Sequence, residues 1–272
     1  MDNSKGGPVY KGLGKIPDRA LLVFAGLVYL FLYAPIMVLI FFSFNSTKST
    51  QVWTGFSTQW YGELIRDGSV LNAFKLSLIV GLTATAIATV IGTLTALALS
   101  RYDFRGKTFA DSAIYAATVM PEIVVGVSLL VFFVAATVEL GIVTIIIAHV
   151  AFCISFVTIV VRARLSGMDR SVEEAAQDLG ATPVQTFLRV TLPLILPGVM
   201  AGALLAFTLS FDDFVITFFV AGVGSSTLPL KIYSMIKFGV SPVINALSTV
   251  VMVSTMILIL GGSRFLSRGE NA

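Results

Sequence analysis

Long apolar runs constrain this chain more than any other feature: six stretches of its 272 residues approach the roughly 20 apolar residues that a helix needs to cross a hydrocarbon layer. Allowing short polar interruptions, they run near Ala20–Phe42, Phe74–Ser100, Ala110–Ala136, Ile142–Val161, Ile195–Val220 and Val243–Leu266. Composition agrees, with 56% hydrophobic and only 12% charged residues and a mean hydropathy of +0.93, where a soluble domain carries roughly 25% charged. The expectation is an all-α integral membrane protein of six transmembrane helices. One domain covers 20–266, between a polar N-terminal segment 1–19 and a short tail 267–272. The first run is too long for the apolar part of a signal peptide, and no A-x-A cleavage pattern follows it, so it counts as a membrane helix.

Charge placement orients the bundle, because Lys- and Arg-rich loops stay cytoplasmic. With the N-terminus inside, 13 Lys and Arg fall on inner segments, among them Arg101, Arg105, Lys107, Arg162, Arg164, Arg170 and Arg189; five fall outside, Lys48, Arg66, Lys75, Lys231 and Lys237. Both termini are therefore expected in the cytoplasm. The excess of 18 Lys+Arg over 15 Asp+Glu is too small and too dispersed to suggest nucleic acid as a partner. Cys153 is the single cysteine and lies in an apolar run, which excludes an intramolecular disulfide and a multi-cysteine metal site.

Inside the second run, Ala84, Ala88, Gly92 and Ala96 recur at four-residue spacing, a small-residue stripe that lets a neighbouring helix approach closely. Pro35, Pro121 and Pro197 fall within predicted spans, where each removes a helix hydrogen bond and needs neighbours or a local break. Trp53, Trp60 and Tyr61 read as interfacial anchors near the outer ends. His149 is a lone histidine in the fourth run and reads as a packing or hydrogen-bonding residue; Glu139 and Asp111 sit near span ends, where water is available.

The inner loop 162–194 encodes two short helices. Ser171 followed by Glu174 has capping-box spacing and Gly180 is a stop, giving a helix over about Val172–Leu179. Thr182, Pro183 and Gln185 then supply an N-cap, an N1 proline and an N3 glutamine for a second. Val172, Ala175, Ala176 and Leu179 form one apolar face on the first helix, which at about eight residues is too short to persist alone in water. It must dock either under its own bundle or in a groove of a cytoplasmic partner.

Glu174-Ala175-Ala176, Gly180, Val190, Leu192 and Pro193 match at full spacing the EAA motif of ABC-importer permeases, with Val190 where Ile is commoner. The resemblance implies the type I importer fold and a bacterial cytoplasmic membrane. It also implies that Glu174, Ala175, Ala176 and Gly180 belong to a coupling loop seated in a separate ATPase, two copies of which bind ATP and Mg. A sister permease chain and a periplasmic or surface-tethered binding protein complete the expected set of partners. No ATPase lies in this chain: Gly106-Lys107-Thr108 imitates the end of a phosphate-binding loop, but position 101 is Arg and no strand precedes it.

Asp212 and Asp213 interrupt the fifth run and Glu122 follows Pro121 in the third; an intramembrane charge costs on the order of 2.5–3.5 kcal/mol, so such residues face a cavity or a partner. Adjacent helical residues diverge by about 100°, so both aspartates cannot point the same way without unwinding. One is expected to face a pathway, while the other caps a broken helix or pairs. Carboxylates on a route suit a cationic substrate. The segments 207–213, 228–234, 43–46 and 60–64 resemble the second permease of spermidine/putrescine transporters over nearly the whole chain. That resemblance implies a polyamine as substrate, so Asp212, Asp213 and Glu122 are the candidate pathway acids, with Phe211, Phe214 and Phe218 as candidate ring faces where they do not face lipid or core. Other readings are a permease for another small cationic or amino-acid-like solute, and an ion-coupled transporter using the same acids, which leaves the EAA motif unexplained. An intramembrane aspartyl protease is disfavoured, because side-by-side aspartates do not converge on one water.

Overall fold

In a computed structural model, residues 18–49, 52–237, 239 and 241–269 are described, and they form helices with one isolated antiparallel bridge, Asn45 to Phe56. The expected polar segment 1–19 and tail 267–272 fall largely outside the described residues. The helices are α1 (Asp18–Phe42), α2 (Gln59–Arg66), α3 (Gly68–Arg101), α4 (Lys107–Val119), α5 (Glu122–Ala135), α6 (Ile142–Ser166), α7 (Ser171–Asp178) and α8 (Pro183–Thr186). After α8, a π-helical turn (Phe187–Thr191) leads into α9 (Leu192–Asp212), followed by α10 (Val215–Val220), α11 (Leu228–Lys237) and α12 (Pro242–Gly269).

The core is the mutual packing of α3, α6 and α9. Ala84, Ala88 and Ala96 of the small-residue stripe are fully buried, and a Cβ at Gly92 would stand 2.8 Å from the Val157 side chain, so α3 and α6 touch backbone to side chain there. Val80, Ile145, Ala148, Val157, Val161, Ile195 and Ala206 fill the same core. By contrast α1 packs against α12 and leaves almost its whole surface bare, a face fit for lipid or a second membrane chain.

Among the described residues, four helices are long and apolar enough to cross a membrane: α1, α3, α6 and the continuous stretch Pro183–Asp212. Two expected spans differ from their sequence reading. The third, Ala110–Ala136, is two helices, α4 and α5, bent by 113° at Met120–Pro121. Pro121 has no N–H to give, and its ring pushes Met120 into extended backbone (φ −62°, ψ 131°), which no helix continues through. The fifth, Ile195–Val220, starts earlier and ends sooner: it grows out of α8 through the π-helical turn and stops at Asp213, itself extended (φ −64°, ψ 124°). In that turn the Leu192 N–H reaches back five residues to Phe187, next to Pro193, which has no N–H to continue an α ladder.

The connection after α1 is held by side chains. Asn45 donates to the carbonyls of Ser49 and Val52 and accepts from Thr54, while Trp60 Nε1 donates to the Asn45 carbonyl at 2.5 Å. Trp60 is thus buried as an internal clasp rather than an interfacial anchor, and Tyr61 shares a hydrogen bond with Ser43. Trp53 stays partly exposed and stacks on Phe41 at 4.2 Å.

Candidate functional sites: a coupling loop and an acidic cavity

The EAA-motif loop lies at one end of the bundle. Its first helix, α7, starts one residue earlier than its sequence reading, and Ser171 is not its capping acceptor: Asp169 Oδ1 accepts the Ser171 N–H at 2.9 Å. Hydrogen bonds from the Ser171 backbone and hydroxyl hold the Asp169 carboxyl below its ordinary value. Gly180 ends the helix in left-handed backbone, φ +90°, with its N–H on the Gln177 carbonyl and the Ala181 N–H on that of Ala176. The second start matches its sequence reading: Thr182 Oγ1 accepts the Gln185 N–H at 3.3 Å, and Gln185 Oε1 accepts the Thr182 N–H at 2.9 Å.

Of the expected apolar face, Ala176 is half-buried while Val172, Ala175 and Leu179 are open, Leu179 at 90% exposure. The loop therefore does not fold its apolar side under its own bundle. Glu174 is exposed and pairs across one turn with Arg170 at 3.4 Å. The inward anchor is its neighbour Glu173, whose carboxylate stands 2.8 Å from Arg101 Nε at the end of α3 and accepts the Thr191 hydroxyl at 2.7 Å. Sequence reasoning missed Glu173; the signal was a second carboxylate one position away, about 100° around the helix from Glu174. Beside the loop, Arg162 of α6 pairs with Asp111 of α4.

The acidic site lies at the far end of α9, whose 21 residues span about 31 Å. Because the helix breaks at Asp213, the two aspartates part company. Asp213 points inward, only 4% exposed, and caps α10: Oδ1 accepts the Ile216 N–H at 3.2 Å, and Oδ2 accepts the Thr217 N–H and hydroxyl at 2.8 Å each. His149 of α6 completes this knot, with Nε2 3.2 Å from Asp213 Oδ2 and 3.0 Å from the Thr217 hydroxyl, and Nδ1 2.7 Å from the Ser210 hydroxyl.

Asp212 turns the other way, onto a cavity of about 250 Å³ lined also by Phe211, Phe214, Leu228, Pro229, Ile232, Tyr233, Ile236 and Val251. Ligand pockets for drug-sized molecules start near roughly 300 Å³, so this one suits a small slender ligand. Phe214 and Tyr233 rings lie 4.6 Å apart, Phe218 leans on both, and Phe211 stacks on Phe207 while meeting Phe74 edge-on. Lys237 already sits over the Tyr233 ring, 5.0 Å from its centroid. Phe211 and Phe214 thus line the cavity and Phe218 backs it. Tyr233, on α11, is the aromatic wall residue that sequence reasoning had not singled out as lining. Glu122 opens α5 on an exposed surface, within electrostatic range of both aspartates. Among the described residues no cluster of His, Cys, Asp and Glu could hold a metal ion.

Comparison with known proteins agrees with this architecture. The family described as "Binding-protein-dependent transport system inner membrane component" matches residues 88–266. The putrescine transport system permease protein PotI of Escherichia coli is 46% identical over 243 residues, covering 87% of this chain and 86% of that protein. The spermidine/putrescine transport system permease protein PotC is 43% identical in Escherichia coli, covering 89% of this chain and 92% of that one. The Haemophilus influenzae protein of that name is 41% identical, covering 91% and 96%. Among solved structures, a chain of a bacterial ABC transporter involved in alginate import superposes with a TM-score of 0.72 at 16% identity, over 96% of this chain and 99% of that chain. At that identity the likeness is one of fold.

Proposed function

The chain belongs to the family of binding-protein-dependent transport system inner membrane components, and on that premise we propose that it is one of two permease chains in a bacterial ATP-driven importer of putrescine or spermidine. It is a membrane translocation subunit rather than an enzyme. The substrate class rests on one observation above the others: the Asp212 carboxylate stands in the wall of a small cavity whose remaining lining is apolar and aromatic. A polyamine carries ammonium groups on a flexible apolar stem. One ammonium would pair with Asp212 while the stem and a second ammonium lie against Phe211, Phe214 and Tyr233. The names of the relatives agree with that chemistry.

The bare face of α7 supports a docking role for the segment around Glu174, Ala175, Ala176 and Gly180, seated in a cleft of a cytoplasmic ATPase that binds ATP and Mg. Two ATPases, a sister permease supplying half of the pathway, and a periplasmic or surface-tethered binding protein complete the machine. Six crossings follow if the bent α4–α5 pair counts once and α12 spans, with both termini in the cytoplasm of the inner membrane. Transport then requires that ATP and substrate each bind the inward and outward states unequally, since equal binding shifts nothing.

The test is uptake of labelled putrescine and spermidine into proteoliposomes holding this chain with its sister permease, the ATPase and the binding protein. ATP-dependent uptake is expected, and Asp212→Asn lowers its rate about tenfold, or roughly 1.4 kcal/mol of barrier. Uptake driven by an ion gradient without ATP, or stimulation by an unrelated solute alone, would sink the proposal.

A further inference from the structure

We propose that Glu173 is the joint through which displacement of α7 is delivered to α9, which walls the acidic cavity, and to α3, which packs behind that wall, an inference that rests on α7 being the ATPase-docking helix. Glu173 sits inside the motif loop yet turns away from the docking side. Its carboxylate is 10% exposed, and one oxygen meets Arg101 at the last residue of α3 while the other accepts from Thr191, the last residue of the π-helical turn below α9. Both contacted helices run unbroken to the other site. α3 goes from Arg101 back to Phe74, whose ring meets Phe211, and α9 goes from its first residue, Leu192, to Asp212 itself. A single carboxylate therefore touches the near ends of two rods, one of which carries cavity wall at its far end while the other backs that wall through Phe74.

The surroundings fit a joint rather than a fixed weld. α7 holds to the rest through few contacts, with α8 and the π-helical turn its nearest elements, so Glu173 is its main polar tie to α3. Arg101 is 15% exposed, and its Nη2 is buried with no hydrogen-bond partner among the described residues, which leaves a donor for a second carboxylate geometry as α7 tilts. The π-helical turn beside Thr191 is the place in this helical stretch where the hydrogen-bond ladder is already looser than an α-helix. Glu174, by contrast, is exposed and tied only to Arg170 within its own turn, which suits the docking face.

The experiment compares wild type, Glu173→Gln and the pair Arg101→Cys/Glu173→Cys in the complete reconstituted importer. Subunit assembly, ATP hydrolysis and labelled-putrescine uptake are measured on the same preparations. Glu173→Gln is expected to assemble and to hydrolyse ATP while putrescine taken up per ATP falls about tenfold, within the usual range of coupling between sites. The cysteine pair is expected to be uncoupled in the same way until a short bis-maleimide, adding one thiol to each of its two C=C bonds, joins the two positions, which restores uptake per ATP without any charge; Cys153 is buried and does not compete. A merely structural role would not be rescued by a tether in the assembled complex. Wild-type uptake per ATP in Glu173→Gln, or an assembled, cross-linked pair that stays uncoupled, overturns the inference. Should Glu173→Gln fail to fold, the cysteine pair alone decides. Leu179→Glu, on the bare face, tests the docking reading separately. Loss of ATPase association with the Glu173–Arg101 contact intact supports it, and unchanged association overturns docking and the joint together.

Discussion

Replacing Asp213 with Ala is expected to damage the folded state far more than Asp212→Asn, although the two carboxylates are neighbours in sequence. Asp213 accepts the first free N–H groups of α10 and the Thr217 hydroxyl and faces His149, all in a site where its side chain is 4% exposed. Loss of a capping side chain costs about 1 kcal/mol, and loss of a charged acceptor that leaves buried donors unpaired costs about 2 kcal/mol more. A total near 3 kcal/mol corresponds to roughly 6–12 °C in Tm, at about 2–4 °C per kcal/mol for a chain of this size. Asp212 has no hydrogen-bond or ion-pair partner among the described residues, so Asp212→Asn falls within about 0.5 kcal/mol, or roughly 2 °C. Thermal unfolding of the detergent-solubilised chain followed by tryptophan fluorescence reads both. Equal Tm values for Asp213→Ala and Asp212→Asn would refute the assignment of Asp213 as the internal cap. Loss of transport in Asp212→Asn at unchanged Tm would locate its role outside the fold.

Other perturbations bear on the packing and on the loop. Gly92→Val places methyl groups where a Cβ alone would be 2.8 Å from Val157, so α3 and α6 must part; a loss of about 1–3 kcal/mol is expected, read as lower Tm and lower yield of monodisperse protein. Gly180→Val puts a branched side chain at φ +90° and should cost about 1–2 kcal/mol locally, seen as faster amide exchange over 171–186 and weaker ATPase association with little change in global Tm. At the start of α3, the Ser69 hydroxyl bonded to Asp67 holds that carboxyl below its ordinary value of 3.8, with the Ser69 and Val70 N–H groups adding to it. A lowered carboxyl stabilises the fold above its unfolded pKa and loses that contribution as pH falls through the folded one. Ser69→Ala should therefore cost a few tenths of a kcal/mol at pH 7, little because the site is solvated, and the gap in Tm to wild type should narrow as pH falls below 3.8.

Local chemistry was legible wherever one residue type does one job. The cap at Thr182, the stop at Gly180 and the close approach at Gly92 all follow from side-chain size or hydrogen-bonding capacity a few residues apart, and each stands where it was read. The Ser171 cap failed because Asp169, a stronger acceptor two residues earlier, takes that N–H. Pro121 announced a break but not its size: the missing hydrogen bond is local, whereas the 113° bend is set by α5 packing on α10 and α6. Trp60 was misread because an aromatic near a span end has the same sequence signature whether its N–H meets a lipid headgroup or the Asn45 carbonyl.

The amino-acid sequence by itself determined that this chain lives in a membrane, that its EAA-motif loop carries an apolar face in need of a partner, and that two acids had to be accommodated in the fifth apolar run. Periodicity, hydropathy and motif spacing are properties of neighbours along the chain, and they survive without a fold. Only the tertiary structure decided which aspartate faces the cavity, that His149 belongs to the other one, and that Glu173 rather than Glu174 ties the loop to α3. Those assignments depend on residues 61 to 72 positions apart, such as His149 with Ser210 and Arg101 with Glu173, meeting at angles set by how α3, α6 and α9 pack. Each helical residue turns the next side chain by about 100°, so a shift of one residue in where a helix breaks decides which carboxylate faces the cavity and which one caps α10.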